Sequence, residues 1–232
     1  METTVKPIPR HEIKHIINVG DYWLLRQRLS TICQHDKFAE ENGQYKIRSL
    51  YFDNDDDKAL KEKLFGISKR EKFRIRYYND DLSFIKLEKK SKFNSLCYKE
   101  AATITQEEAK KIVNHDIEWM RSSKKPLLVE FYAKMCYQGL KPKTIVDYLR
   151  EPYIFSPGNT RITIDREIRT GIFSQQLFDQ KMPSVPILKS YDIMVLEIKY
   201  DDFLPQIIQK LSQVGSRQNT AFSKYANCRI FG

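Results

Sequence analysis

Glu71 to Lys92 reads EKFRIRYYNDDLSFIKLEKKSK. Phe73, Ile75 and Tyr77 alternate with Arg74 and Arg76. After Asn79-Asp80-Asp81, Ile85 and Leu87 alternate with Lys86, Glu88 and Lys90. Successive side chains of a strand point to opposite faces, so the stretch reads as two strands, each with one apolar and one charged face. Asn and Asp bond their own backbone and tolerate left-handed dihedrals, which places a tight turn between the strands. Two readings stay open on these residues alone. The charges belong to a solvated face, or they serve a partner, and the choice depends on whether other strands repeat the pattern.

They do repeat it. Arg10 to Ile17 puts Arg10, Glu12 and Lys14 on one face if extended. YKIRSLYFD at 45–53, Leu96 to Ile104 with Lys99, TIVDYLREPYIF from Thr144, TRITIDREI from Thr160 and DIMVLEIKY from Asp192 also read as strands. Helices intervene. Residues 21–33 have helical apolar spacing at Trp23, Leu24, Leu25, Leu29 and Ile32, with Asp21 as the N-cap. Thr105 caps a helix carrying Ala109, Ile112 and Val113. Pro126 opens another with Leu127, Leu128, Phe131, Tyr132, Met135 and Cys136 on one face, and Gly139 closes it. Phe203 to Leu211 reads as a helix led by Pro205. Residues 171–190 read as irregular.

The 232 residues suffice for a sizeable core, and neither a repeat nor a linker divides them, so one domain over residues 1–232 is expected. With 40 Lys+Arg against 30 Asp+Glu the net charge is +10, which favours an anionic partner. The four cysteines are scattered without metal-ligand spacing, which argues against a zinc site or a disulfide framework. METTVKPIPR lacks an apolar signal core, and no window is long enough to span a bilayer, so a cytoplasmic location is expected.

The charged faces collect Glu12, Lys14, Arg74, Arg76, Lys86, Glu88, Lys90, Lys99, Arg150, Arg161, Glu197 and Lys199. Helices packed on the apolar faces would leave these groups pointing away. If the sheet closes, they point inward. An interior so rich in Lys and Arg is tolerable only if it is wide, wet and meant for a polyanion. Arg forks and Lys ammoniums are natural phosphate ligands, and the few carboxylates among them suit a hard divalent cation.

Eight stretches then follow a familiar order: RHEIK at 10–14, SLYFDN at 49–54, FRIRYY at 73–78, IKLEKK at 85–90, VDYLREPY at 146–153, TRITIDREI at 160–168, VLEIKYD at 195–201 and FSKY at 222–225. In them the chain resembles the VTC domain, the polyphosphate polymerase domain of the vacuolar transporter chaperone complex, in its bacterial stand-alone form. That domain belongs to the triphosphate tunnel metalloenzymes, which include the CYTH proteins. The resemblance implies an α+β fold: an antiparallel β-barrel, or triphosphate tunnel, lined with basic residues and carrying helices on its outside. It implies transfer of the ATP γ-phosphate to a growing inorganic polyphosphate chain with a divalent metal, Mn²⁺ or Mg²⁺. Carried over by motif, Lys14, Arg74, Arg76, Lys90, Arg150, Arg161 and Lys224 grip phosphates. Lys86, Lys99 and Lys199 add to them, Ser223 donates to a phosphate, and Tyr148 positions the chain. Glu197 holds the metal. Glu12 either joins it or pairs with a tunnel base.

One departure stands out. Tunnel triphosphatases of the CYTH type begin Glu-x-Glu-x-Lys, where this chain has Arg10-His11-Glu12-Ile13-Lys14. That fits the VTC pattern better than hydrolysis. Water in the acceptor's place would still give a triphosphatase or nucleoside triphosphatase, and binding without turnover a polyphosphate sensor. The aromatics fall mostly opposite the bases, which speaks against nucleic acid. Eukaryotic relatives work with transmembrane subunits, so any membrane coupling here would run through a separate membrane-protein partner. Strand alternation places His11 and His15 outside the tunnel.

Overall fold

The structure, a computed structural model, describes residues 10–36, 39–93, 96–171, 174–187, 193–215 and 218–230. Its strands are β1 (His11–Ile17), β2 (Gln34–His35), β3 (Tyr45–Asp53), β4 (Lys69–Tyr78), β5 (Asp81–Phe93), β6 (Leu96–Ile104), β7 (Lys141–Phe155), β8 (Thr160–Thr170), β9 (Val185–Pro186) and β10 (Met194–Tyr200). Its helices are α1 (Val19–Ser30), α2 (Lys58–Leu64), α3 (Gln106–Val113), α4 (Pro126–Gln138), α5 (Gln206–Leu211) and α6 (Lys224–Ile230). One antiparallel sheet runs in the order β1-β10-β8-β7-β3-β4-β5-β6, with β2 added on β7 and β9 on β8. The sheet curves into a tunnel. Its two end strands meet at a single bridge, where the Arg10 amide donates to the Cys97 carbonyl at 3.4 Å. Among the described residues, closure is therefore a seam rather than a continuous ladder.

The deciding hairpin forms as its pattern predicts. Asn79 and Asp80 take φ of 49° and 57°, the left-handed pair that a tight hairpin turn needs. The Asn79 side chain also accepts from the Lys46 amide at 2.8 Å, tying the turn to β3. The apolar faces of β4 and β5, with Phe73, Ile75, Tyr77, Ile85 and Leu87, pack outward against α3 and α4. Thr105 caps α3 through a reciprocal box with Glu108, and Gly139 ends α4 at φ 65°. On the other flank α1 and α5 cover Ile162, Ile164, Leu196 and Ile198.

Three local expectations are corrected. Asn18, not Asp21, caps α1, and Asp21 is the return partner of the capping box. Starting the helix earlier turns Tyr22, Leu25 and Leu29 inward, so Trp23 and Leu24 are exposed. In α4, Cys136 lies off the buried stripe and is exposed. The FSKY stretch runs into α6, which packs on β7 and β8 on the inner side of the sheet, where Tyr45, Ile47, Tyr51, Val146, Tyr148, Ile168 and Val195 form an apolar cluster with Phe222, Tyr225 and Cys228. Asp192 lies outside the described residues, and the strand expected from it starts at Met194.

Candidate functional site: a basic tunnel laced with carboxylates

Strand parity puts one set of side chains inside. Glu12 and Lys14 come from β1, Glu197 and Lys199 from β10, Arg161, Thr163 and Asp165 from β8, and Arg150 and Tyr148 from β7. Ser49 and Tyr51 come from β3, Lys72, Arg74 and Arg76 from β4, Lys86, Glu88 and Lys90 from β5, and Lys99 from β6. The inner cations are interleaved with carboxylates. Register alternates the charges: Lys14 faces Glu197, Glu12 faces Lys199, Arg150 faces Asp165 and Arg74 faces Glu88.

Four carboxylates anchor the cations, Glu88, Asp165 and Glu197 buried and Glu12 partly so. Glu12 meets Lys14 and Lys90, each at 2.6 Å, and Glu197 meets Lys199 at 2.5 Å and Lys14 at 3.6 Å. Of the two roles open to Glu12, the pairing with tunnel bases is thus observed. Burial and the neighbouring Glu197 push the Glu12 carboxyl up, but Lys14, Lys90 and Lys199 outweigh them and hold it below its ordinary range. Glu197 is held low in the same way, against its burial, chiefly by Lys199, Lys14 and Arg150. Glu88 receives Arg74 at 2.7 Å and Lys99 at 2.5 Å, with Arg76 at 3.7 Å. Asp165 accepts a fork from Arg150 at 2.6 and 2.7 Å, and Lys224 at 2.5 Å.

Most aromatics do lie opposite the bases, in the outer core, but some tyrosines are inside. The Tyr148 ring lies under three cations, Lys224 at 4.7 Å, Arg150 at 5.4 Å and Arg76 at 5.9 Å, and its hydroxyl accepts from Arg76 at 2.9 Å. Tyr51 accepts from Arg74 at 2.8 Å and stacks on Tyr225. Burial raises the Tyr51 hydroxyl, but Arg74, Lys72 and Arg76 bring it down to about 7. Tyr225 in turn donates to Asp53, whose carboxylate also takes the Ala59 and Leu60 amides of α2, so the SLYFDN stretch locks α6 to the tunnel wall.

Most of the expected site residues converge, and some sit apart. Arg161 bonds Asp36 at 2.7 Å and the Tyr45 hydroxyl at 2.9 Å, which draws it to the end away from Glu88. Lys86 lies over the Phe84 ring at 4.4 Å, toward the turn end of the hairpin. The Ser223 hydroxyl accepts from the Ala226 amide at 3.3 Å, a helix-capping role beside Lys224. His11 stacks on Tyr200 and His15 bonds the Gln218 carbonyl, both on the outer face as parity predicts. Sequence reasoning missed Lys72, Tyr51, Thr163 and Asp165. Lys72 shares the parity of Arg74 and Arg76, so alternation alone was signal enough. It faces Lys90, which faces Lys99: three lysines in one row across three strands. Burial brings Lys72 down to about 7; Tyr51 opposes this, and Lys90, Arg74 and Lys14 add to it. Like charges directly opposite are destabilising, so this row is where an anion is most needed.

A divalent metal can be tested against the donors present. No group of three or more His, Cys, Asp or Glu comes together among the described residues. The protein thus offers a pair, Glu12 and Glu197, both ionised. Directly opposite Glu197, the buried Thr163 hydroxyl has no hydrogen-bond partner. Hard oxygen donors of this number fit Mg²⁺ or Mn²⁺, which take one or two carboxylates and complete their shell with water and phosphate oxygens.

A solved structure shares the fold. A candidate adenylate cyclase from Bacillus halodurans is similar at 15% identity and a TM-score of 0.54, over 91% of this chain and 94% of that one. Two proteins of Pyrococcus horikoshii, each with a TM-score of 0.48, match at 13% and 12% identity over 94% and 93% of this chain and 96% of each of theirs. No curated protein matches the chain. The model of the VTC domain matches residues 9–230, which takes in every strand and helix of the tunnel. The chain belongs to the VTC domain family.

Proposed function

We propose that this protein is an ATP-dependent polyphosphate polymerase, which transfers the γ-phosphate of ATP to the end of an inorganic polyphosphate chain. The observation that carries the reading is the row Lys72–Lys90–Lys99, three lysines opposed to one another across three strands with carboxylates reaching only Lys90 (Glu12) and Lys99 (Glu88), set between the Glu12–Glu197 pair and the Arg74–Arg76–Glu88 group. A run of phosphates laid along that row would relieve the repulsion and reach both flanks.

Phosphoryl transfer asks a protein mainly for alignment and charge neutralisation. Lys14, Lys90 and Lys199 surround the two carboxylates, and Arg74, Arg76, Arg150 and Lys224 surround Tyr148. These cations would hold donor and acceptor phosphates in line. An acceptor phosphate oxygen attacks the γ-phosphorus as the bond to the β-phosphate bridging oxygen breaks, leaving ADP and a chain longer by one phosphate. The acceptor is already an anion, so no strong base is needed. Mn²⁺ or Mg²⁺ held by Glu12 and Glu197 would supply neutralisation of the leaving diphosphate. Lys99, Lys86 and Ser223 extend the phosphate path, with Arg161 at its far end.

The test is to incubate purified protein with ATP, Mn²⁺ and a short polyphosphate primer, staining a gel for polyphosphate and assaying free phosphate in parallel. Long chains support the polymerase. Free phosphate without chains makes it a tunnel hydrolase. Tight polyphosphate binding with neither product makes it a sensor.

A further inference from the structure

At the end of the sheet where β4 begins and β5 stops, the molecule leaves large apolar side chains in water. Leu64, which ends α2, and Phe65 and Ile67, in the turn from α2 to β4, are 53%, 76% and 46% exposed, and Phe93 is 53% exposed. They are neighbours: Phe93 pairs with Lys69, two residues after Ile67, and the Ile67 amide closes the end of α2 on the Glu62 carbonyl. Exposed apolar clusters rimmed by charge mark interaction sites.

The rim is basic. Arg70 pairs with Lys92 across the hairpin, Lys69 lies beside them, and Lys63 is close enough to Arg70 and Lys92 for their charges, after its burial, to lower its pKa. The nearby acids are turned to other cations. Glu62 pairs with Lys58, Glu71 with Lys134 and Lys89, Asp55 with Lys141 and Lys143, and Asp57 with Arg229. Arg70 and Lys92 are the next inner-face positions beyond Lys72 and Lys90, and Cys97 opposite Lys92 forms the seam bridge with Arg10. The patch therefore borders a mouth of the tunnel.

We propose that Leu64, Phe65, Ile67 and Phe93 insert into the interface of an anionic phospholipid bilayer, with Lys63, Lys69, Arg70 and Lys92 on its headgroups, so that this mouth faces the membrane. Apolar side chains ringed by Lys and Arg have the chemistry of surface attachment. No helix among the described residues is long and apolar enough to cross a bilayer, so the attachment lies on the surface. The inference rests on this exposed patch and holds whichever phosphoryl reaction the tunnel performs.

The test is co-sedimentation of the full chain with vesicles of phosphatidylcholine alone or mixed with phosphatidylglycerol, in parallel with tripolyphosphate binding. Wild type should sediment with the anionic vesicles only. Leu64→Ser/Phe65→Ser should lose about tenfold or more of that affinity and keep tripolyphosphate binding. Lys69→Glu, at an exposed position outside the tunnel, should weaken the preference for anionic lipid. Wild type that stays in the supernatant overturns the proposal, as does a Ser variant that sediments like wild type. A concentration-dependent dimer abolished by Phe65→Ser, without vesicle binding, overturns it in favour of self-association.

Discussion

Lys72 on β4 stands directly opposite Lys90 on β5, and no carboxylate is interposed between them. The nearest acids are already shared: Glu12 among Lys14, Lys90 and Lys199, and Glu88 among Arg74, Arg76 and Lys99. The empty tunnel therefore holds a local excess of positive charge that folding must overcome. Tripolyphosphate should raise the melting temperature, by about 2.7 kcal/mol at a hundredfold excess over its dissociation constant. For a chain of this length that is roughly 5–10 °C. Differential scanning calorimetry with and without tripolyphosphate reads it directly, and no shift would remove the polyanion tunnel.

The same row sets a pH dependence. Lys72 and Tyr51 are both lowered to about 7 in the folded chain, whereas both lose their protons near pH 10 when unfolded. Between those values the unfolded chain binds more protons, so the empty protein gains stability as pH rises from about 7 to about 9. Lys72→Met removes the larger part of this gain. Melting temperatures of both proteins across the range measure it, and equal slopes would show that Lys72 is not the group responsible.

Glu197→Gln removes one of the two carboxylates opposed by Lys14 and Lys199. Metal-dependent turnover should fall by roughly a hundredfold or more. Tripolyphosphate should bind at least as tightly, since a negative charge has left the tunnel. Calorimetric titration and a phosphate-release assay on one preparation separate the two effects. Full activity would end the metal assignment.

Asp165 holds both Arg150 and Lys224 with no exposed surface of its own. Asp165→Asn leaves two partly buried cations short of a counter-charge, which should cost about 3 kcal/mol. Thermal denaturation should show a fall of roughly 6–12 °C, with tripolyphosphate restoring part of it. A variant as stable as wild type would mean that these cations reach water.

Tyr148 offers a ring to three cations and an acceptor to one. Tyr148→Phe keeps the ring, so tripolyphosphate affinity should fall by no more than about fivefold. Tyr148→Leu removes it and should cost about tenfold or more, because Arg150 and Lys224 lose the surface that orients them. Equal losses in the two variants would assign the role to the hydroxyl alone.

What the sequence showed and hid follows from the range of each signal. The 79–80 turn, the Thr105 box and the Pro126 and Gly139 helix ends are set by residues within a few positions, and each is where the sequence placed it. Parity sorted Arg74, Arg76, Lys90 and Glu197 onto one face correctly. It does not say which charge meets which. Glu12 meets Lys90 across 78 positions and Lys224 meets Asp165 across 59. Such pairs depend on register between distant strands and on α6 lying inside the sheet. For the same reason Asp165 and Tyr51 looked unremarkable within their strands.

The seam gives the tunnel a weak line along its length. Elsewhere, parting two strands breaks a ladder, whereas at the β1–β6 seam, among the described residues, one 3.4 Å backbone bond has to open. Beside it, the Lys90–Glu12 contact works as an electrostatic clasp. A phosphate that drew Lys90 toward itself would loosen this clasp. A long polyanion could then enter sideways, like a cord laid into a slotted pipe, instead of being threaded from one end. The lateral gap would close again when the lysine returns to its carboxylate.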